Sequence, residues 1–185
     1  MLIAIVLGIL TWSFLEYVIH RFLGHHRTWA RKNPFGIEHT AHHSRGNYFA
    51  PAWKKGLAAG LFLAILLPPA WLLAGSYGLA YVLGFTAFYL SYEVLHRLMH
   101  VWAGVGPYGR WARRHHFFHH FHDPKKNHGV TSPIWDLVFG TYVRPEKIVV
   151  PEKLAMPWLF ATDQTLRPEL DRDYALRLTR ASPRA

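Results

Sequence analysis

The hydrophobic pattern divides the chain into three long apolar stretches and two polar, aromatic-rich segments. From Gly56 to Tyr92 there is no Asp, Glu, Lys, Arg or His. That is too long for one soluble core helix and suits two membrane spans. Gly75-Ser76-Tyr77-Gly78 offers a turn between them. The pattern predicts spans over about 57–74 and 79–98. Pro68-Pro69 should kink the first, or break it into a re-entrant piece. A third span is expected over about 2–19, interrupted only by Thr11, Ser13 and Glu16. It has neither a basic leader nor a small-residue cleavage site, so it reads as a retained span rather than a signal peptide.

After His100 the chain turns polar and aromatic. Arg110–His122 has helical character, Pro124–Ser132 reads as loop, and Pro133 starts a short helix or turn through Asp136. The division is thus a membrane-embedded domain over 1–145 and a Pro-rich cytoplasmic tail over 146–185. The tail is expected to pack loosely, with a short helix near Arg172–Arg180. The aromatic run Phe85, Phe88, Tyr89 and Tyr92 fits packing between spans better than a substrate channel.

The formal charge of +10 raises nucleic acid and anionic membranes as partners. Its distribution favours the membrane. Arg21, Arg27, Arg31, Lys32, Arg45, Lys54 and Lys55 lie in one inter-span segment, the other basic residues lie from Arg97 onward, and the Gly75–Gly78 turn has none. Three spans with the N-terminus outside put both basic segments in the cytoplasm. No groove-reading motif is present, so no nucleic-acid partner is expected. The absence of cysteine excludes disulfides, Cys-ligated zinc, iron–sulfur clusters and thiol catalysis.

Composition also shows 14 histidines, where roughly four are usual at this length. Ten of them form a spaced pair and an H-x-x-H-H triplet, twice over: His20 and His25, then His39, His42 and His43; His96 and His100, then His116, His119 and His120. His96 and His100 share a helix face, as do the members of each triplet. The five-residue step from His20 to His25 suits no single face of a regular helix, so the helix should end or widen there. Each half of the chain thus offers five imidazoles at one membrane surface. Neutral imidazole is a common metal ligand, and ten suit two metals at about five each. Ligand type leaves Zn, Cu, Fe and Ni open. Glu16, Glu38, Glu93 and Asp123 could orient the imidazole N–H groups from behind. The plainer reading pairs Glu16 with Arg21 and Glu93 with Arg97. His115, His122 and His128 could also stand behind the ligands. His26 carries no assignment. Asp136 and Trp135 fit a role in fixing the C-terminal lobe better than metal contact.

The ordered boxes H-x4-H, H-x2-H-H, H-x3-H and H-x2-H-H resemble the fatty acid hydroxylase/sterol desaturase superfamily of membrane di-iron oxygenases. The stretch Gly129–Tyr142, which contains Ser132-Pro133-Ile134-Trp135-Asp136, is similar to the segment after that superfamily's last box. The resemblance covers about 14–142. It implies an all-α fold of transmembrane helices capped by a cytoplasmic helical lobe that carries a histidine-rich dimetal site. It implies two iron ions held by the ten box histidines, which zinc can replace in a purified sample. Dioxygen is the implied co-substrate, and the catalytic group is the dimetal centre itself. The implied reaction is hydroxylation of a lipid C–H bond, foremost on a fatty acyl chain. Carotenoid or sterol hydroxylation or desaturation by the same centre is the alternative. No cytochrome-type domain is attached, so a separate electron-donor protein is expected.

Two other classes compete. A metal transporter needs ligands along a path through the bilayer, and every histidine here lies near one surface. A zinc hydrolase needs three protein ligands and an open position, far fewer than ten.

Overall fold

The computed structural model describes residues 1–104 and 106–178. It is mostly helical, in the order α1 (Leu2–Val18), α2 (Pro34–Ser44), α3 (Ala52–Ala74), α4 (Ser76–Val101), α5 (Gly106–Phe121) and α6 (Ile134–Val138), followed by short strands β1 (Ile148–Pro151) and β2 (Tyr174–Arg177). The all-helical class holds, with the two strands as a small addition.

Among the described residues, three helices are long and apolar enough to cross a membrane: Leu2–Gly24, Ala52–Ala74 and Ser76–Val101. Each is longer than the sequence pattern predicts, because polar and basic ends stay helical beyond the hydrophobic stretch. The chain is an integral membrane protein. α3 buries none of its residues, and Leu72 and Leu73 are 82% and 87% exposed. Such a surface suits contact with lipid. The expected break at Pro68-Pro69 is absent, since α3 runs through both prolines. Proline removes backbone donors there, but its fixed φ still fits a helix. The expected four-residue turn shrinks to Gly75, at φ +51°, and α4 begins at Ser76.

α1 packs along α4 at close backbone range. A Cβ on Gly8 would strike the Tyr81 carbonyl, and one on Gly84 would strike that of Ile5. Trp12 fills the same seam against Phe85 and Tyr89, with ring centroids 5.3 and 4.7 Å away. These aromatics pack the spans together, as their helical spacing suggested. Beyond Val18, residues Ile19–Gly24 continue as a π-helical turn. α2 starts at Pro34, with the Asn33 side chain accepting from the Gly36 N–H at 2.8 Å. Its cap satisfies a donor that helix geometry leaves free.

The C-terminal segment corrects the expectation of loose packing. Ile148, Val150, Met156 and Leu159 are fully buried with Phe117 of α5 and Tyr174 of β2. Each such side chain contributes roughly 1.5–3 kcal/mol before its ordering entropy, so the segment is part of the fold. The expected helix near Arg172–Arg180 is instead parallel strand β2, with Tyr174 opposite Ile148. Residues 179–180 lie outside the described residues.

Candidate metal centre

The histidines are delivered by the ends of two spans and by the two helices beyond them. The π-helical turn after α1 answers the awkward His20–His25 spacing. Its wider pitch brings a residue five positions on back to nearly the same face, and the two rings lie 5.2 Å apart. On α4, His96 and His100 are one turn apart with rings 5.4 Å apart. α2 and α5 supply the triplets.

The structure brings all ten box histidines together, in two groups of five. The first is His20, His25, His39, His43 and His119; the second is His42, His96, His100, His116 and His120. Within each group, one nitrogen per residue lies within 4.8 Å of all the others. The groups adjoin, with His43 and His120 stacked at 3.9 Å. They do not follow the two halves of the chain, as the sequence suggested: His42 and His119 change places. Helix geometry gives the reason. In each triplet the i and i+4 members lie nearly in line, whereas the i+3 member is turned about 100° from its neighbour. α2 and α5 run between the groups, so each aims its pair at one group and its odd member at the other.

Nine of the fourteen histidines are buried, and beyond the spans burial sets the charge of the box histidines. It pushes His25 and His42 down to about 4 and takes His39, His43, His116, His119 and His120 well below the usual imidazole range. Neighbouring imidazoles push the same way for most of them. All seven are neutral at pH 7, the form that binds metal.

Ring orientation is fixed by backbone carbonyls. His20 Nδ1 donates to the His128 carbonyl at 2.5 Å, His42 Nδ1 to Tyr48 at 2.6 Å and His119 Nδ1 to Lys126 at 2.8 Å. Those bonds assign the tautomer and leave each Nε2 as a bare lone pair. The bare nitrogens converge on other imidazoles: His20 on His39 at 3.1 Å, His42 on His96 at 3.0 Å and His119 on His25 at 2.7 Å. His43 Nε2 and His120 Nε2 are buried with no hydrogen-bond partner. Two nitrogens each bound to one metal at ~2.1 Å and at right angles stand about 3 Å apart. The donor set and its spacing therefore fit a metal ion in each group.

The carboxylates act elsewhere than the sequence suggested, and none bonds a box imidazole among the described residues. Glu16 forms no pair with Arg21; it accepts from the N–H groups of Val130 and Thr131 at 2.5 and 2.9 Å and from the Thr131 hydroxyl at 2.8 Å. Glu93 pairs with Lys55, not Arg97. Glu38 bonds Tyr48 and Lys54. Asp123 accepts from the Lys125 N–H. Glu16 thereby pins the loop whose His128 carbonyl orients His20.

Asp136 is fully buried and organises the C-terminal lobe, as expected. It accepts from the N–H groups of His128 and Gly129, both at 2.8 Å, from the Thr141 hydroxyl at 2.7 Å and from His115 Nε2 at 3.2 Å. His115 thus faces Asp136 rather than a metal group. The His128 ring stands 5.2 Å from that of His119. His122 points away and accepts from the Val149 N–H. Trp135 Nε1 donates to Ser13 on α1 at 3.1 Å.

Sequence reasoning missed three contributors. The orienting carbonyls leave no side-chain signal. Arg113 is buried, donates to the carbonyls of Met99, Trp102 and Ala103, and caps α4 just beyond His100. Phe49 lies 5.0 Å from His42 and 5.5 Å from His100. Nothing in the spacing of the inter-span aromatics Trp29, Phe35, Tyr48 and Phe49 singles that ring out.

Comparison with known proteins agrees with this geometry. The family model "Fatty acid hydroxylase" matches residues 5–141. The chain is 35% identical over 147 residues to dihydroceramide fatty acyl 2-hydroxylase FAH2 of Arabidopsis thaliana, covering 72% of this chain and 58% of that protein. It is 31% identical over 143 residues to the ceramide very long chain fatty acid hydroxylase scs7 of Schizosaccharomyces pombe, covering 74% and 41%. The chain therefore spans only about half the length of these relatives. A solved structure of full-length scs7p, in which only the hydroxylase domain is visible, matches with a TM-score of 0.57 at 28% identity, over 77% of this chain and 57% of that one. The matched region carries every box histidine, and on that ground the chain belongs to the fatty acid hydroxylase family.

Proposed function

We propose that each histidine group holds one iron ion, and that the protein uses dioxygen and electrons from a separate donor protein to hydroxylate a lipid acyl chain. The observation that carries this reading is the pair of adjoining five-imidazole groups at one end of three apolar helices. The relatives named as fatty acyl 2-hydroxylases favour the carbon next to the acyl carbonyl as the target. An alkyl C–H bond has no acidic proton, so general acid–base chemistry alone does not break it. The bound iron pair supplies the redox chemistry with dioxygen that this bond requires.

The chain's own residues do the rest. The ten imidazoles, held neutral by burial where they lie beyond the spans, present lone pairs rather than N–H groups to the ions. The carbonyls of Tyr48, Lys126 and His128 hold His42, His119 and His20 in place. Glu16 and Asp136 fix the segment that bears the His128 carbonyl. Met99, Ala112 and Val130 pack beside the site and keep water from it. Since α1 and α4 end at the centre, an acyl chain reaches it without leaving the bilayer.

The bias of basic residues toward two segments supports a centre on the cytoplasmic side, with the N-terminus and Gly75 outside. The chain has no native cysteine, so single-cysteine labelling tests the arrangement. Ser76→Cys should react with an impermeant maleimide on intact cells, and Thr165→Cys only after lysis. The reverse pattern would invert the orientation.

Activity is tested with iron-loaded protein, a reductant, dioxygen and membrane lipids, with products read by mass spectrometry. Oxygen-dependent hydroxylated acyl chains are expected, and replacing iron by zinc should abolish them. Turnover that survives zinc would remove the oxygenase reading. A transporter is disfavoured because both groups sit at one end of the spans.

A further inference from the structure

The stretch from Gly129 to Val143 holds one charged residue, Asp136, and that side chain is turned inward and fully buried. Lys125 and Lys126 stand before the stretch and Arg144 after it. At its centre, α6 keeps Asp136 on the inner side and turns apolar side chains out. Leu137 is 58% and Val138 64% exposed, and Ile134 and Phe139 are exposed beside them. A water-facing surface rarely carries so many large apolar side chains in one patch.

The position of α6 says what covers that patch. The helix lies beside α1, not beyond its end. Phe14 rests on the Trp135 ring at 4.8 Å and on that of Phe139 at 6.4 Å. Tyr17 stacks on Phe139 at 5.3 Å, and Trp135 bonds Ser13. The apolar run of α1 continues past Phe14 to Ile19, a further rise of about 7.5 Å along the helix axis. α6 therefore flanks a part of the span that is itself in the bilayer. Leu7, Leu10 and Phe14 are exposed on one face of α1, and the α6 patch continues that lipid-facing surface.

The backbone is equipped for such a depth. In lipid, every N–H and C=O needs a partner within the protein. Leu137, Phe139, Gly140 and Thr141 donate their N–H groups to the carbonyls of Pro133, Trp135, Leu137 and Asp136. The Asp136 carboxylate accepts from the N–H groups of His128 and Gly129, and Glu16 from those of Val130 and Thr131. At the rim, the Lys126 ammonium reaches the Gly140 carbonyl at 3.3 Å. Long basic side chains of this kind hold an apolar element at the head groups.

We propose that α6 is inserted in the leaflet on the histidine side, with Ile134, Leu137, Val138 and Phe139 against lipid acyl chains and Lys125, Lys126 and Arg144 at the head groups. The bilayer is then a direct partner of the lobe that follows the last histidine triplet. Asp136, on the opposite face of the same short helix, holds the His128 N–H, so this seat also steadies the loop whose carbonyl orients His20. The inference stands on the spans and on α6, whatever reaction the centre performs.

The test uses the full iron-loaded chain in phosphatidylcholine nanodiscs. Leu137→Cys and Val138→Cys are each labelled with bimane. Emission loss is read with phosphatidylcholine carrying a doxyl group near its carbonyl, and separately with iodide in the water. Ile65→Cys, exposed on α3, is the lipid reference, and Thr165→Cys, exposed in the C-terminal segment, is the water reference. The ratio of lipid to iodide quenching at both α6 positions should approach that of Ile65→Cys. A ratio nearer that of Thr165→Cys would overturn the proposal. Shielding from both quenchers would overturn it too and assign the patch to a protein neighbour; excimer emission from pyrene-labelled Val138→Cys would identify that neighbour as a second copy. Both replaced side chains point outward, and wild-type iron content verifies that each labelled chain is folded. If one variant loses iron, the other decides.

Discussion

His42 and His119 each sit one residue before a histidine that belongs to the other group. At this scale the ligand assignments can be separated from mere clustering. His119→Ala should cost at least one of two bound iron equivalents and abolish turnover, and His42→Ala should do the same from the second group. His26 lies apart from both groups, its Nδ1 accepting from Thr28, so His26→Ala should keep wild-type metal content. Metal analysis of purified protein checks all three, and unchanged iron in His119→Ala would remove that residue from the set. The identities of the ten clustered histidines were legible in the sequence because spacing alone lines up helix faces. Their sorting into two groups was not, since it depends on how α2 and α5 lie in space. The partners of Glu16 and Glu93 were illegible for a related reason: sequence proximity suggested Arg21 and Arg97, while the contacts actually formed come from residues 130–131 and from Lys55.

Among elements, the π-helical turn at Ile19–Gly24 is the one with a direct bearing on the centre. Inserting one residue there, for example an alanine after Leu23, would turn His25 by about 100° relative to His20. The expected outcome is a folded, membrane-inserted protein with lowered iron content, read by circular dichroism and metal analysis together. Full iron content in that insertion variant would show that the facing of His25 and His20 is dispensable. The spans were readable because a run free of charge has few alternatives. Their ends were not, since Lys54, Lys55 and Arg97 remain helical while reaching polar surroundings. The C-terminal segment was misread for the opposite reason. Its prolines suggested looseness, yet Ile148, Val150, Met156 and Leu159 cluster with Phe117 and Tyr174.

For the molecule as a whole, burying so many imidazoles couples stability to pH. His25 and His42 are held at about 4 in the fold against 6.5 when exposed. Between those values the unfolded chain takes up protons that the folded chain refuses, so the stability these groups allow is complete above about pH 6.5 and is lost as pH falls toward 4. Each contributes a slope of at most about 1.4 kcal/mol per pH unit. The melting midpoint of metal-free protein in detergent should therefore fall steadily over that interval, and a flat profile would contradict the burial argument. The interlocked triplets have a final consequence. Because α2 and α5 each serve both groups, neither helix can rotate to suit one ion without disturbing the seat of the other. Filling the first seat sets the second, so occupancy should rise as a joint, sigmoidal event, and half-loaded molecules should be scarce.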